Sequence, residues 1–155
     1  MSGSPLHILL VEDNLDHAEL VRRNLERLQV PNRLLHVEDG EVALEYIFER
    51  GQFADHARFP KPDLVLLDLR LPKVDGLEVL RQVKSHPKLH RLPVVVLTSS
   101  EAESDVAKAY DFHANSFVTK PVEFATFSRL LKELGFYWLT WNQPPPPRQR
   151  SRPDC

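Results

Sequence analysis

One unbroken apolar run constrains the fold of this chain more than any other stretch. Its sequence is Pro62-Asp63-Leu64-Val65-Leu66-Leu67-Asp68, and Leu69-Arg70-Leu71-Pro72 follows at once. Apolar side chains without polar alternation, stopped by a loop that contains proline, predict a strand buried on both faces of a parallel sheet. Open α/β sheets bind their ligands at the carboxyl ends of their strands, so Asp68 becomes the first candidate functional residue.

The rest of the chain alternates the same kind of strand with helices. Four further apolar segments predict strands at residues 8–11, 34–37, 92–97 and 116–118. Helices are predicted to begin near Asn14, Asp39, Asp75, Glu101 and Pro121 or Val122, with the second closing near Gly51 and the last running through Leu134. This alternation predicts an α/β fold, a flavodoxin-like doubly wound parallel sheet of five strands in the order 2-1-3-4-5 with five helices.

Charge and cysteine content narrow the functions that the chain can have. With 155 residues and a net charge of −2, it has no general electrostatic attraction to nucleic acid or to an anionic membrane. Its one cysteine, Cys155, excludes an intramolecular disulfide and a cysteine-rich zinc site. No apolar run approaches the roughly 20 residues that cross a bilayer. We therefore expect a cytoplasmic protein that binds neither nucleic acid nor membrane.

Composition divides the chain into one domain and a tail. Residues 1–141 have the length of a single domain that ends in an aromatic segment. Residues 142–155 contain four consecutive prolines, then Arg148, Arg150 and Arg152. Polyproline geometry and low apolar content predict that this tail is disordered.

Complementary polar residues follow four of the predicted strands. Glu12 and Asp13 follow the first strand, Asp68 ends the third, Thr98 follows the fourth and Lys120 follows the fifth. In a parallel sheet of this order, these positions meet at one edge. Clustered carboxylates share protons or bind a divalent cation, and an all-oxygen site with room for water suits Mg²⁺. A carboxylate can also be the nucleophile in phosphoryl transfer, while a metal and a lysine neutralise the phosphoryl oxygens.

Each of these residues, taken alone, has a purely structural explanation. Glu12, Asp13 and Asn14 can cap the following helix, and Asp68 can start a turn. A single threonine at a strand end is usually a turn hydroxyl, and a single lysine is usually solvated. Their joint occurrence at four of five strand ends favours a functional site over turn chemistry.

The same positions carry the motifs of a known protein family. The segments Val11-Glu12-Asp13-Asn14, Leu67-Asp68-Leu69-Arg70-Leu71-Pro72 with Asp75-Gly76, Leu97-Thr98-Ser99 and Lys120-Pro121 resemble the receiver domain of two-component response regulators. The resemblance spans residues 6–134. It implies a protein that accepts a phosphoryl group from a sensor histidine kinase and is not an enzyme beyond its own phosphorylation and dephosphorylation.

The resemblance also implies a role for each site residue. It makes Asp68 the phosphoacceptor and assigns the metal to Asp13, Asp68 and the backbone carbonyl of Arg70, with Glu12 acting through water. Lys120, Thr98 and Ser99 contact the phosphoryl group, and Phe117 occupies the aromatic switch position. Two residues depart from the common pattern, in which Glu12 is often aspartate and Phe117 is often tyrosine. We expect the longer Glu12 side chain to change how the ion is held, and a switch at Phe117 to depend on ring burial alone.

A narrower resemblance is to the response regulators that accompany bacterial phytochrome kinases. It involves an insertion at residues 52–61, the aromatic segment 136–141 and the proline tail. It implies a phytochrome-type kinase as partner and a homodimer formed by the fourth helix, the fifth strand, the fifth helix and the C-terminal extension, anchored by Phe136, Tyr137, Trp138 and Trp141. The alternative is that this segment folds back on its own domain. Because little chain follows the last predicted helix, we expect signalling by protein binding without an attached output domain.

Two other functions are compatible with this fold class. A small-molecule phosphohydrolase or phosphotransferase of the haloacid dehalogenase type would need an acid two residues after Asp68, where this chain has Arg70. A flavodoxin-like carrier of FMN would need a phosphate loop rich in serine, threonine and glycine after the first strand, and this chain has Glu12-Asp13-Asn14-Leu15-Asp16 there. Both alternatives are disfavoured by these residues.

Overall fold

The computed structural model describes residues 5–27, 31–55, 57–98, 116–120 and 123–133, with the backbone alone at 98, 116, 117 and 119. The strands are β1 (Leu6–Val11), β2 (Asn32–Val37), β3 (Leu64–Asp68), β4 (Val94–Thr98) and β5 (Ser116–Thr119). The helices are α1 (Leu15–Glu26), α2 (Gly40–Ile47), α3 (Gly76–Ser85) and α4 (Phe124–Leu131), with a 3₁₀ helix at Gly51–Ala54. Of the five predicted helices, the one near residues 101–112 lies outside the described residues.

The strands form one parallel sheet in the order β2-β1-β3-β4-β5, which confirms the predicted order. Strand β3 lies between β1 and β4, with Leu67 opposite Val11 and Asp68 opposite Leu97. The carboxyl ends of β1 and β3 are therefore neighbours. Within the described parts of the chain, no helix is long and apolar enough to cross a membrane.

Both faces of the sheet are covered by helices. One apolar cluster joins Leu9, Val65 and Val96 to α2 and α3, and a second joins Leu10, Leu66 and Val95 to α1 and α4. Adjacent residues of a strand point to opposite faces, so the continuous apolar runs fill both clusters. This arrangement explains why β3 shows no polar alternation.

Side-chain caps place the helices directly after the strand ends. The Asn14 side chain accepts hydrogen bonds from the backbone N–H groups of Asp16 and His17 at 2.9 and 3.1 Å. Asp39 and Asp75 cap α2 and α3 in the same way. Each cap satisfies backbone donors that the first helical turn leaves without a partner. The predicted N-cap at Asn14 is thereby confirmed.

The predicted last residue of one helix and the predicted first residue of another are wrong. Helix α2 ends at Ile47 and not near Gly51, because Glu49 and Gly51 adopt positive φ values of 60° and 55°, outside the helical region. Helix α4 begins at Phe124, after Glu123, and not at Pro121 or Val122.

Three aromatic rings hold the predicted insertion against α2. The rings pack edge to face, with centroid separations of 5.1 Å between Tyr46 and Phe53, 5.0 Å between Phe53 and Phe59, and 6.3 Å between Tyr46 and Phe59. The Tyr46 hydroxyl also donates a hydrogen bond to the carbonyl of Pro60. We call Tyr46, Phe53 and Phe59 the aromatic cluster; it orders the connection between α2 and β3.

Candidate functional site

Glu12 and Asp68 are the two buried charged residues in the described parts of the chain, at 0% and 4% exposure. Asp68 is the last residue of β3, and Glu12 follows β1 with its N–H bonded to the carbonyl of Val37 at 3.0 Å. The residues that directly precede them, 8–11 and 64–67, are apolar and buried, so the position of each carboxylate is set by the packing of the sheet. Carboxylates are seldom buried unless a partner or a metal compensates them.

Asp13 completes a cluster of three carboxylates. One oxygen from each of Glu12, Asp13 and Asp68 lies within 4.8 Å of the other two. Carboxylate oxygens this close together are the donors that a hard divalent cation such as Mg²⁺ prefers, either directly or through water. Asp13 is exposed, which leaves room for water ligands on the open side. We call Glu12, Asp13 and Asp68 the acidic site, and its donor set fits a divalent cation.

Lys120 joins the buried part of the acidic site. Its Nζ donates to Glu12 Oε1 at 3.0 Å and to Asp68 Oδ2 at 3.3 Å. Only 7% of the Lys120 side chain is exposed, so water screens these ion pairs weakly. One cation therefore compensates two buried anions.

The pKa of Asp68 is raised from 3.8 to about 6. Burial is the largest cause, followed by the nearby Glu12 charge, while Lys120 lowers the pKa. A hydrogen bond with Glu12 raises it further, and the backbone N–H of Arg70, which donates to Asp68 Oδ1 at 3.3 Å, opposes the shift. Most Asp68 carboxyls are thus ionised at neutral pH, although burial and the Glu12 charge disfavour the ionised form.

Backbone groups and a histidine fix the position of Glu12. The N–H of Asn14 donates to Glu12 Oε2 at 3.1 Å. On the neighbouring strand, His36 Nε2 lies 2.7 Å from the Glu12 carbonyl oxygen. These contacts come from β2 and from the start of α1, so the fold determines the geometry of this longer acid.

Gly76 sets the distance between α3 and the end of β3. A Cβ atom at this position would lie 2.2 Å from the backbone oxygen of Asp68 and 2.7 Å from Leu69 Cα. The Gly76 N–H instead donates to the Leu69 carbonyl at 2.9 Å. The loop that carries Arg70 is therefore held tightly beside a cleft lined by Asp13, Leu69, Arg70, Leu71, Pro72, Asp75 and Leu77.

The remaining predicted site residues are only partly described. Thr98 ends β4 opposite Thr119, and Phe117 lies in β5 opposite Val96. Their backbones thus reach or flank the same edge of the sheet. The other predicted positions lie outside the described residues: Ser99, Phe136, Tyr137, Trp138 and Trp141.

His17 is a residue of this site that sequence reasoning missed. No sequence motif singled it out, but His17 Nδ1 lies 2.9 Å from Lys120 Nζ and 3.8 Å from Glu12 Oε2. The sequence feature that could have indicated His17 is its position in the first turn of α1, shortly after the acidic pair and Asn14. That turn must start beside the carboxyl end of β1.

A family model and two relatives match nearly the whole described domain. The model of the response regulator receiver domain matches residues 8–132. The probable methanogenesis regulatory protein FilR2 of Methanothrix harundinacea is 46% identical over 143 residues, which are 92% of this chain and 90% of FilR2. The response regulator Rcp1 of Synechocystis is 38% identical over 138 residues, 89% of this chain and 92% of Rcp1.

Solved structures show the same similarity in three dimensions. The bacteriophytochrome response regulator RtBRR is 44% identical with a TM-score of 0.78, covering 96% of this chain and 89% of RtBRR. The phosphorylated cyanobacterial phytochrome response regulator RcpA is 38% identical with a TM-score of 0.75, and the Mn²⁺-bound form of Rcp1 is 37% identical with a TM-score of 0.73. Each of these two covers 92% of this chain and is itself covered completely.

Proposed function

This chain belongs to the response regulator receiver family, and we propose that it accepts a phosphoryl group on Asp68 from the phosphohistidine of a sensor histidine kinase. The observation that carries this proposal is the buried, ionisable Asp68 carboxylate beside Lys120 and two further acids. In this proposal the protein is a phosphoacceptor and not an enzyme with a separate substrate.

The proposed step is a direct displacement at phosphorus. A carboxylate oxygen of Asp68 attacks the phosphorus atom, the P–N bond to the kinase imidazole breaks, and the leaving nitrogen takes up a proton from water. Lys120 is within hydrogen-bond distance of Asp68 Oδ2 and can follow the charge onto the phosphoryl oxygens. The N–H of Arg70 holds the other carboxylate oxygen and so orients the nucleophile.

We propose Mg²⁺ as the cation of the acidic site. Asp13, Asp68 and the carbonyl of Arg70 would bind it directly, and Glu12 through water. A bound divalent cation would offset the repulsion between the carboxylates and neutralise charge on the transferring group. The all-oxygen donor set and the Mn²⁺-bound form of the similar protein Rcp1 support this assignment.

We assign the response to phosphorylation to the strands beside β3. Thr98 ends the strand that pairs with β3, so its hydroxyl and that of Ser99 are candidates to contact the phosphoryl group. Phe117 lies on β5, directly beside β4, and is the candidate aromatic switch. Phosphorylation would then alter the surface around β5, where the homodimer predicted from the sequence would form with the aromatic segment 136–141.

The partner kinase is proposed to be of the phytochrome type. The similar proteins RcpA and RtBRR are described as phytochrome and bacteriophytochrome response regulators, and both match over most of their length. We propose that the exchange takes place in the cytoplasm. Phosphotransfer from a purified, autophosphorylated phytochrome-type kinase should be faster than from an unrelated histidine kinase; equal rates would remove this assignment.

Intact mass after incubation with Mg²⁺ and phosphoramidate or acetyl phosphate tests the phosphoacceptor. The wild type should gain one phosphoryl group and Asp68→Asn none. Asp63→Asn is a matched control, because Asp63 belongs to the same apolar run but lies before β3 and accepts from the N–H of His7 at 2.9 Å. No gain in the wild type, or a gain that survives in Asp68→Asn, would refute the proposal.

Sedimentation tests the proposed dimer. Wild-type protein with and without Mg²⁺ and beryllofluoride, a phosphoryl analogue, should differ in mass or be dimeric in both states. A monomer under both conditions would exclude the interface role of Trp138 and Trp141.

A further inference from the structure

His17 contacts Lys120 beside the acidic site but is neither an acid of that site nor the phosphoacceptor. It lies in the first turn of α1, and its N–H is bonded to the Asn14 side chain at 3.1 Å. The side chain is 36% exposed, so the ring lies at the rim of the site and partly in solvent. Its Nδ1 atom is 2.9 Å from Lys120 Nζ.

This contact completes the hydrogen bonding of the Lys120 ammonium group. An ammonium carries three N–H donors and no acceptor. Three acceptors surround Nζ: Glu12 Oε1 at 3.0 Å, Asp68 Oδ2 at 3.3 Å and His17 Nδ1 at 2.9 Å. Because the Lys120 ammonium can only donate, Nδ1 of His17 is the acceptor in this contact.

The three acceptors differ in what phosphorylation would do to them. Attack by Asp68 makes one of its oxygens the bridging oxygen of an acyl phosphate, and the hydrogen bond from Lys120 can then pass to the new phosphoryl oxygens. Glu12 is also needed by the cation of the acidic site. His17 has no other proposed duty, and the α1 cap holds it in place.

We propose that His17 is a positioning residue, whose Nδ1 atom holds the Lys120 ammonium toward Asp68 during phosphoryl transfer. This inference rests on the proposed function of Asp68. Without the acceptor, the third N–H of Lys120 would turn toward water at the rim, and the ammonium would be less well ordered when charge moves onto the phosphoryl oxygens.

Two substitutions separate this role from simple shielding by the ring. His17→Asn keeps an acceptor at the same bond distance from the backbone, since Oδ1 takes the place of Nδ1, but removes the ring. His17→Phe keeps a ring over Lys120 but has no acceptor. If His17 positions Lys120, His17→Asn should be phosphorylated faster than His17→Phe. If the ring only shields Lys120 from water, His17→Phe should be the faster of the two.

The experiment measures the initial rate of phosphorylation by acetyl phosphate at saturating Mg²⁺, by intact mass. We expect His17→Phe to be about tenfold slower than the wild type, the effect of losing one hydrogen bond to a charged group in the transition state, and His17→Asn to stay within about twofold. His90→Phe controls for the change from histidine to phenylalanine itself, because His90 is exposed and lies after α3, away from the acidic site. The opposite order, or equal rates for both variants and the wild type, would overturn the inference.

A spectroscopic measurement checks the contact without any reaction. In ¹⁵N-lysine-labelled protein, the Lys120 ammonium protons should exchange slowly with water in the wild type and in His17→Asn, and faster in His17→Phe. Unchanged exchange in His17→Phe would contradict the contact. If the wild type gains a phosphoryl group and Asp68→Asn does not, while the His17 variants react at the wild-type rate, the inference fails and the proposed function stands; no reaction in the wild type ends both.

Discussion

The acidic site and the aromatic cluster are both built against the same sheet, but they use opposite chemistry. In the aromatic cluster, Tyr46, Phe53 and Phe59 pack edge to face, and every contact favours the folded state. In the acidic site, Glu12 and Asp68 are buried close together and repel, so that burial raises the pKa of Asp68 to about 6. The comparison indicates that this fold gains stability in the connection from α2 to β3 and gives some of it up at the strand ends, where reactivity is needed.

The largest expected loss of stability comes from the aromatic cluster. Phe53→Ala should lower the free energy of unfolding by about 3–5 kcal/mol, because Phe53 is buried and its ring meets both Tyr46 and Phe59. Urea denaturation measures the loss. The folded fraction should still be phosphorylated on Asp68 at the wild-type rate. A folded but unreactive Phe53→Ala protein would show that the aromatic cluster and the acidic site are coupled.

Lys120→Met should strongly slow the reaction at Asp68. Removing the cation should slow phosphorylation by acetyl phosphate by about 10²-fold, the cost of losing one preorganised charge at a developing anion. Lys73→Met is the matched control, because Lys73 is exposed and contacts Asp39 and Glu41 at 3.9 and 3.8 Å instead. Initial rates by intact mass measure both. A similar rate for Lys120→Met and Lys73→Met would remove Lys120 from the reaction.

The pH dependence of stability should carry the signature of Asp68 in metal-free protein. In the folded state its pKa is about 6 instead of 3.8, so between these values the folded protein keeps a proton that the unfolded chain has released. Stability should therefore fall as pH rises through this window, by on the order of 2 kcal/mol, and then level off.

Asp68→Asn isolates this effect. The variant should lack that fall and be more stable than the wild type at pH 7.5 in EDTA, as measured by urea denaturation across pH. Glu78→Gln is a control for a contribution of the opposite sign. Hydrogen bonds from Arg81 and Gln82 lower the pKa of Glu78 to about 2, so the contribution of Glu78 to stability is present above its unfolded pKa and is lost as pH falls. Parallel curves of unfolding free energy against pH for the wild type and Asp68→Asn would show that ionisation of Asp68 does not destabilise the fold.

The smallest expected effect is the loss of one hydrogen bond in the aromatic cluster. Tyr46→Phe keeps the ring contacts with Phe53 and Phe59 but removes the bond to the Pro60 carbonyl. It should cost about 1 kcal/mol of unfolding free energy and leave the phosphorylation rate unchanged. Thermal denaturation and the same mass assay check both. A loss as large as that of Phe53→Ala would mean that the hydroxyl of Tyr46, and not ring packing, holds Phe53, Phe59 and Pro60 against α2.

Local patterns were enough to predict the sheet and part of the site. Continuous apolar runs identified strands buried on two faces, and the alternation with helices gave the strand order that the structure has. In such a sheet the residues that follow β1, β3 and β5 must lie at one edge, so Glu12, Asp13, Asp68 and Lys120 were expected together and are found together.

Helix ends were less predictable, because they depend on single backbone conformations. Gly51 suggested the end of α2, but the chain leaves the helix earlier, at Ile47, and Glu49 then takes a positive φ that its residue type does not favour. Pro121 and Val122 suggested the start of α4, which begins at Phe124. Just beyond the first of these positions, Phe53 and Phe59 turn back to pack on Tyr46 of α2.

The sequence by itself determined which residues reach the carboxyl edge of the sheet, because strand patterning is local and parallel topology orders the strand ends. Only the tertiary structure decided how those residues pair. Lys120 meets Glu12, Asp68 and His17 across separations of 108, 52 and 103 residues in the chain. Such contacts depend on the register of three strands, the cap of α1 and the side-chain conformations that burial permits. Asp68 was visible as an acid at a strand end, but its raised pKa and the place of His17 beside Lys120 arise from the packing around them.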